Sequence, residues 1–137
     1  NRPNHIGATI LIHYGGKVLL ESRKDSDRWA FIGGGLLLNE TLPECAKRET
    51  FEETGIVLAD EDIEFCKLYD DPSIIISYPD GNIIRNMMAV YKTTLKQMPD
   101  LVCSEESREL RFFSKEELKS IKIVETHTPI LEDLGYE

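Results

Sequence analysis

The chain is 137 residues long and carries 25 Asp and Glu against 16 Lys and Arg, a formal net charge of −9. That length suits one domain over residues 1–137 and is too short for two ordinary ones. Hydrophobic residues at 41% and charged residues at 30% exclude a disordered chain. The longest apolar runs, such as Ile74-Ile75-Ile76, fall far below the ~18 residues of a membrane span, so no membrane partner is expected. The acidic balance argues against long nucleic acid, whose binding rests on phosphate neutralisation. Cys45, Cys66 and Cys103 are widely spaced and form neither a disulfide framework nor a zinc motif. A reducing, cytoplasmic setting is the expectation.

In chain order, Ala8 to Tyr14 and Lys17 to Ser22 are β-favouring runs around Gly15-Gly16, which predicts a hairpin. A polar loop from Arg23 to Arg28 follows. Trp29 to Ile32 reads as a short strand that ends in Gly33-Gly34-Gly35. Leu42 to Thr54 reads as a helix. Thr41 with Glu44 makes a capping box, Pro43 lies in the first turn, and Gly55 is placed as the C-terminal cap. Ile63 to Tyr69, Ile74 to Tyr78, Ile83 to Thr94 and Glu109 to Phe113 read as strands, with Pro79-Asp80-Gly81-Asn82 as a turn. Ser114 with Glu117 opens a short helix near Leu118, and Thr128-Pro129 opens a last one that ends near Gly135. Strands, one helix, strands and short helices make a mixed α/β or α+β sandwich, not a regular βαβ repeat.

The long helix carries acids on an unusual side. On a helical wheel Leu42, Cys45, Ala46, Glu49 and Glu53 fall within roughly 100° of one another, with Glu52 beside them. Glu49, Glu52 and Glu53 are spaced i,i+3 and i,i+4 and share a face that continues the small apolar stripe. Burying three such carboxylates unpaired costs several kcal/mol each. Raised pKa values, pairing with basic groups, or divalent cations could each resolve this. Arg48, an i,i+4 neighbour of Glu52, is the one obvious base nearby. It does not balance three acids, and oxygen-preferring cations are the natural remainder.

Gly34, five residues, Glu40, seven residues and then Arg48-Glu49-Thr50-Phe51-Glu52-Glu53-Thr54-Gly55-Ile56 resemble the Nudix box. Every fixed residue stands at the right spacing, and Thr50 occupies a position usually held by a bulky aliphatic. Lys17 to Arg23, Trp29 and Gly33-Gly34 resemble the lead-in of MutT-like relatives. Tyr78-Pro79-Asp80-Gly81-Asn82 and Glu106 to Phe113 resemble segments of a bacterial subgroup described as ADP-ribose pyrophosphatase-like. Many relatives have Pro where this chain has Ile32, an acid in place of Leu37, and Gly in place of Asn39.

The resemblance implies an α/β/α sandwich with a mixed central sheet. It also implies a hydrolase of the diphosphate bond in a nucleoside diphosphate derivative, with Mg²⁺ or Mn²⁺ as cofactor. ADP-ribose, nucleoside triphosphates and nucleotide sugars are the candidate substrates. On this reading Glu52 and Glu53 are the main metal ligands, and Glu49 is a ligand or general base. The Gly33 carbonyl is a further ligand, and Arg48 orients Glu49 or Glu52. Glu40 is either an outer acid or a loop-to-helix hydrogen-bond partner. A late ligand comes from Glu106, with Glu105 and Glu109 as rivals. Arg23 contacts phosphate, and Gly34 lets the backbone approach the ligand. Trp29, Phe31, Met87 and Met88 are read as packing residues, and Tyr14 and Tyr78 as core or rim. His5, His13 and His127 show no metal spacing. The resemblance also admits a homodimer. A Nudix-fold sensor that binds without turnover is the alternative, and a plain acidic interaction domain is the bland one.

Overall fold

The first strand organises the sheet. In the computed structural model, which describes residues 4–133, β1 (Asn4–Tyr14) is followed by β2 (Lys17–Arg23), β3 (Trp29–Gly35) and α1 (Leu42–Thr54). Next come β4 (Glu64–Tyr69), β5 (Ile75–Ser77), β6 (Ile83–Thr94) and β7 (Ser107–Phe113), then the short helices α2 (Lys115–Leu118) and α3 (Thr128–Asp133). The sheet runs β4-β6-β1-β3-β2-β7, with β5 also on β6. It is mixed: β1 and β6 are parallel from Asn4↔Arg85 to His13↔Thr94, and the other long pairings are antiparallel. Among the described residues no helix is long and apolar enough to cross a membrane. The predicted end of the last helix near Gly135 lies outside the described residues.

Two expectations change. The β1–β2 hairpin closes through Gly15 and Gly16, whose φ values of 58° and 78° suit a primed turn. It pairs only at His13↔Val18 and Tyr14↔Lys17. Beyond that the strands part to admit β3, which pairs with β2 through Leu20↔Phe31 and with β1 from Ile10↔Ile32 to Gly7↔Gly35. The glycine run, expected to end the strand, instead belongs to it. Backbones are so close there that a Cβ at Gly33 would stand 2.3 Å from the Ala8 carbonyl oxygen. Glycine is required at that spot by space rather than by a turn.

Strand alternation divides the core into two layers. Ala8, Ile10, Ile12, Leu19 and Ile32 face α1, where Cys45 and Ala46 meet them. Leu11, Val18, Leu20 and Phe31 face the other way and are covered by Leu118 of α2, Ile123 and Ile130 of α3. The result is the α/β/α sandwich with a mixed sheet that the resemblance implies. Helix α1 has the caps expected: Thr41 and Glu44 bond reciprocally, and Gly55 takes the left-handed cap with φ 80°. Its buried stripe is Cys45, Ala46, Thr50, Glu53 and Thr54. Thr50 is tolerated there because its hydroxyl donates to the Ala46 carbonyl at 2.7 Å.

Candidate functional site

Helix α1 lies across the glycine segment of β3 and β1, and the absence of side chains below lets its acids reach the sheet. A Cβ on Gly34 would fall 2.5 Å from the Glu49 carboxyl carbon. The Gly33 N–H donates to Glu53 Oε2 at 3.3 Å. Glu53 is 8% exposed, and its other oxygen, Oε1, is buried with no hydrogen-bond partner. Burial, then the adjacent Glu21 and Glu49 carboxyls, push the Glu53 carboxyl far above the ordinary carboxylate range.

The outer edge of the same helix is arranged differently. Arg48 Nε and Nη2 donate to the two oxygens of Glu40 at 2.6 and 3.0 Å. Its Nη1 donates to Glu49 Oε1 at 2.8 Å and to Glu52 Oε1 at 2.7 Å, and Nη2 also reaches the Gly35 carbonyl at 2.9 Å. Glu40 further accepts the Leu37 N–H, so the loop-to-helix hydrogen bonding expected of it is present. Hydrogen bonds from Arg48 bring Glu40 down to about 2. The loop reaches this position through Asn39, whose φ of 66° is left-handed. Asn tolerates that conformation, which is why it can stand where relatives carry Gly.

From the other side, Arg23 Nη1 donates to Glu21 Oε1 at 3.0 Å, and Nη2 to Glu106 Oε2 at 3.3 Å. Burial opposes the charge on Arg23, but Glu21, Asp25, Glu53 and Glu106 together keep its pKa above the usual value. Ser107 donates to Glu21 Oε2 at 3.4 Å.

Of these groups, Glu21, Arg23, Gly33 and Gly34 line a cleft of about 700 Å³ that extends to Phe31, Met88, Ile76, Tyr78, Arg28 and His127. His127 accepts the Phe31 N–H at Nδ1, 3.2 Å away, which leaves the proton on Nε2. Burial lowers its pKa to about 4, so the ring is neutral at pH 7.

The family described as NUDIX domain matches residues 3–134. The chain belongs to the Nudix family. Among solved structures, a bifunctional NMN adenylyltransferase/ADP ribose pyrophosphatase from Francisella tularensis, complexed with AMP and Mn ion, is 25% identical. It superimposes with a TM-score of 0.80 over 98% of this chain and 42% of its own. A MutT/nudix family protein from Enterococcus faecalis is 26% identical with a TM-score of 0.69, over 82% of this chain and 44% of its own. This Nudix chain thus spans less than half the length of either. The MutT protein from Methanosarcina mazei, 20% identical, shares the fold over 98% of this chain and 95% of its own, with a TM-score of 0.73. No curated protein matches the chain.

The Nudix box residues come together unequally. Glu49 and Glu53 lie inward against Gly34 and Gly33, whereas the Glu52 side chain is 50% exposed and tied to Arg48. Arg48 therefore takes Glu49 and Glu52 together, and Glu40 as well, leaving Glu53 without a cation. Glu106 is exposed and meets the site through Arg23, while Glu109 pairs with Arg111. Among the described residues no three His, Cys, Asp or Glu side chains converge as a preformed cation cage.

The donor set nonetheless fits a hard divalent cation: it is all oxygen, and one buried carboxyl oxygen lacks a partner. Two cleft features escape sequence reasoning. Glu21 is 1% exposed; its signal was an acid two residues after Leu19 in a strand, on the apolar side. His127 had no local signal, because Phe31 lies 96 residues away.

Proposed function

We propose that this Nudix domain is a divalent-cation-dependent hydrolase that cleaves the diphosphate bond of a nucleoside diphosphate derivative. The observation that carries the proposal is the buried, unpartnered Oε1 of Glu53, which with Glu49 packs against Gly33 and Gly34 of the cleft wall. Native proteins rarely leave such an atom unsatisfied unless a ligand completes it. Glu49, Glu52 and Glu53 would hold Mg²⁺ or Mn²⁺, with the Gly33 carbonyl and Glu106 as further oxygen donors. When bound, the cation offsets phosphate charge and polarises phosphoryl oxygens.

The chain's own residues do the rest. Arg48 holds Glu49 and Glu52 in position through Nη1. Glu49 Oε2, which Arg48 leaves free, can accept a proton from the attacking water. Arg23 offers a guanidinium fork to a phosphate once Glu106 yields. Gly34, with no side chain, gives the diphosphate access to the backbone. The group beyond the diphosphate would occupy the cleft, whose volume suits a nucleotide-sized ligand. The AMP and Mn ion in the Francisella neighbour support this class, and ADP-ribose, nucleoside triphosphates and nucleotide sugars are its candidates.

The test is a panel of these compounds with Mg²⁺ or Mn²⁺ and the products identified. A nucleoside monophosphate product that depends on the cation, and is lost in the Glu52→Gln, Glu53→Gln double variant, is expected. Full activity in that variant contradicts the assignment. Tight binding without turnover across the panel makes the domain a sensor.

A further inference from the structure

We propose that Glu21, on β2 and outside the Nudix box, supplies an oxygen ligand to the divalent cation held at Glu53. The inference rests on the reading of this floor as a cation site and extends its ligand set.

Strand alternation places Glu21 on the same side as Leu19, toward α1, and its side chain is as buried as that leucine. An acid at such a position is costly unless something compensates it. The compensation visible is partial. Oε1 accepts from Arg23 at 3.0 Å, and Oε2 accepts from Ser107 at 3.4 Å. Each carboxylate oxygen has two lone pairs, so each retains one. The neighbour on that side is not a donor but a second carboxyl: Glu21 faces α1 and lies near enough to Glu53 to help raise its carboxyl pKa. The Glu53 Oε1 there is buried and unpartnered.

The local charges do not balance either. Arg23 is shared among Glu21, Asp25 and Glu106. Arg48 is shared among Glu40, Glu49 and Glu52. Glu53 adds a further carboxyl with no guanidinium of its own. Two neighbouring buried carboxyls, both with spare lone pairs, are the arrangement that a cation between them would satisfy. Oxygen donors alone suit Mg²⁺ or Mn²⁺ over softer ions.

The experiment is calorimetric titration of Mn²⁺, without nucleotide, into the wild-type chain and into Glu21→Gln, Glu21→Asp and Glu116→Gln. The last removes one charge on α2 and serves as the control. Circular dichroism confirms folding of each. Glu21→Gln is expected to weaken Mn²⁺ binding at least about tenfold. Glu21→Asp, which keeps the charge and withdraws the carboxylate by one methylene, should weaken it too, and Glu116→Gln should not. If one Glu21 variant does not fold, the other carries the test. Wild-type affinity in a folded Glu21 variant overturns the inference and leaves the proposed function standing. No Mn²⁺ uptake by the wild-type chain overturns the cation site itself.

Discussion

The outer rim and the inner floor of the acidic helix use the same residue types to opposite ends. At the rim every nitrogen of Arg48 has an acceptor among Glu40, Glu49, Glu52 and the Gly35 carbonyl. At the floor, Glu53 meets two other carboxyls and leaves an oxygen unpartnered. Matched charges hold the loop to the helix and fix the side-chain positions. Unmatched ones remain available for a ligand. The difference shows why counting acids on a helix face is insufficient: the information lies in which acid the arginine does not reach.

The strongest way to break this comparison is at the floor. Glu53→Gln is expected to lower hydrolysis by about a hundred- to a thousandfold, the scale of losing a principal stabilising group. It should also raise the melting temperature of the cation-free protein. A carboxyl whose folded pKa lies above its unfolded value contributes stability below the unfolded pKa, and that contribution is lost as pH rises. The amide removes this loss, so the gain should be clear at pH 7 and vanish near pH 4. A melting temperature that falls at pH 7 would mean the floor is structurally matched after all.

Gly34→Ala tests the close approach between β3 and the helix. Its Cβ would stand 2.5–2.6 Å from the Glu49 carboxylate atoms, so Glu49 must move. A loss of about tenfold or more in kcat is expected, with the circular dichroism spectrum retained.

Arg48→Met addresses the rim. It removes charged hydrogen bonds to three carboxylates. Thermal melts should show a destabilisation of about 1–3 kcal/mol, with Mn²⁺ uptake weakened but present. Unchanged stability would show that the rim network does not hold the loop.

The smallest effect separates the far wall of the cleft from both regions. His127, held to about 4 by burial, favours the folded state when neutral. Its contribution is complete above about pH 6.5 and is lost as pH falls toward 4. His127→Gln should reduce the slope of stability against pH in that window by no more than one proton's worth, about 1.4 kcal/mol per pH unit. Mn²⁺ affinity at pH 7 should not change.

Much of this was legible in the chain itself. The helix spans Leu42–Thr54 with the caps its residues imply, because capping boxes and left-handed glycine caps are local chemistry. The helical wheel likewise places Glu49 and Glu53 on the side of Cys45 and Ala46. What escaped depends on partners distant in sequence. The Gly33–Gly35 segment reads as the end of a strand by itself and belongs to the strand only because β1 lies beside it. The Gly15-Gly16 hairpin is local and correct, but the insertion of β3 between its arms is not local. Glu21 did carry a signal, an acid in register with Leu19, but its meaning needed Glu53 opposite. The reach of Arg48 to Glu40 required the left-handed turn at Asn39.

The most direct measurement is anomalous scattering from crystals soaked in Mn²⁺. A peak beside Glu53 Oε1, within coordination distance of it and of Glu49, is the predicted result. A peak confined to the Glu52 side of Arg48, or none at the floor at saturating Mn²⁺, would contradict the account.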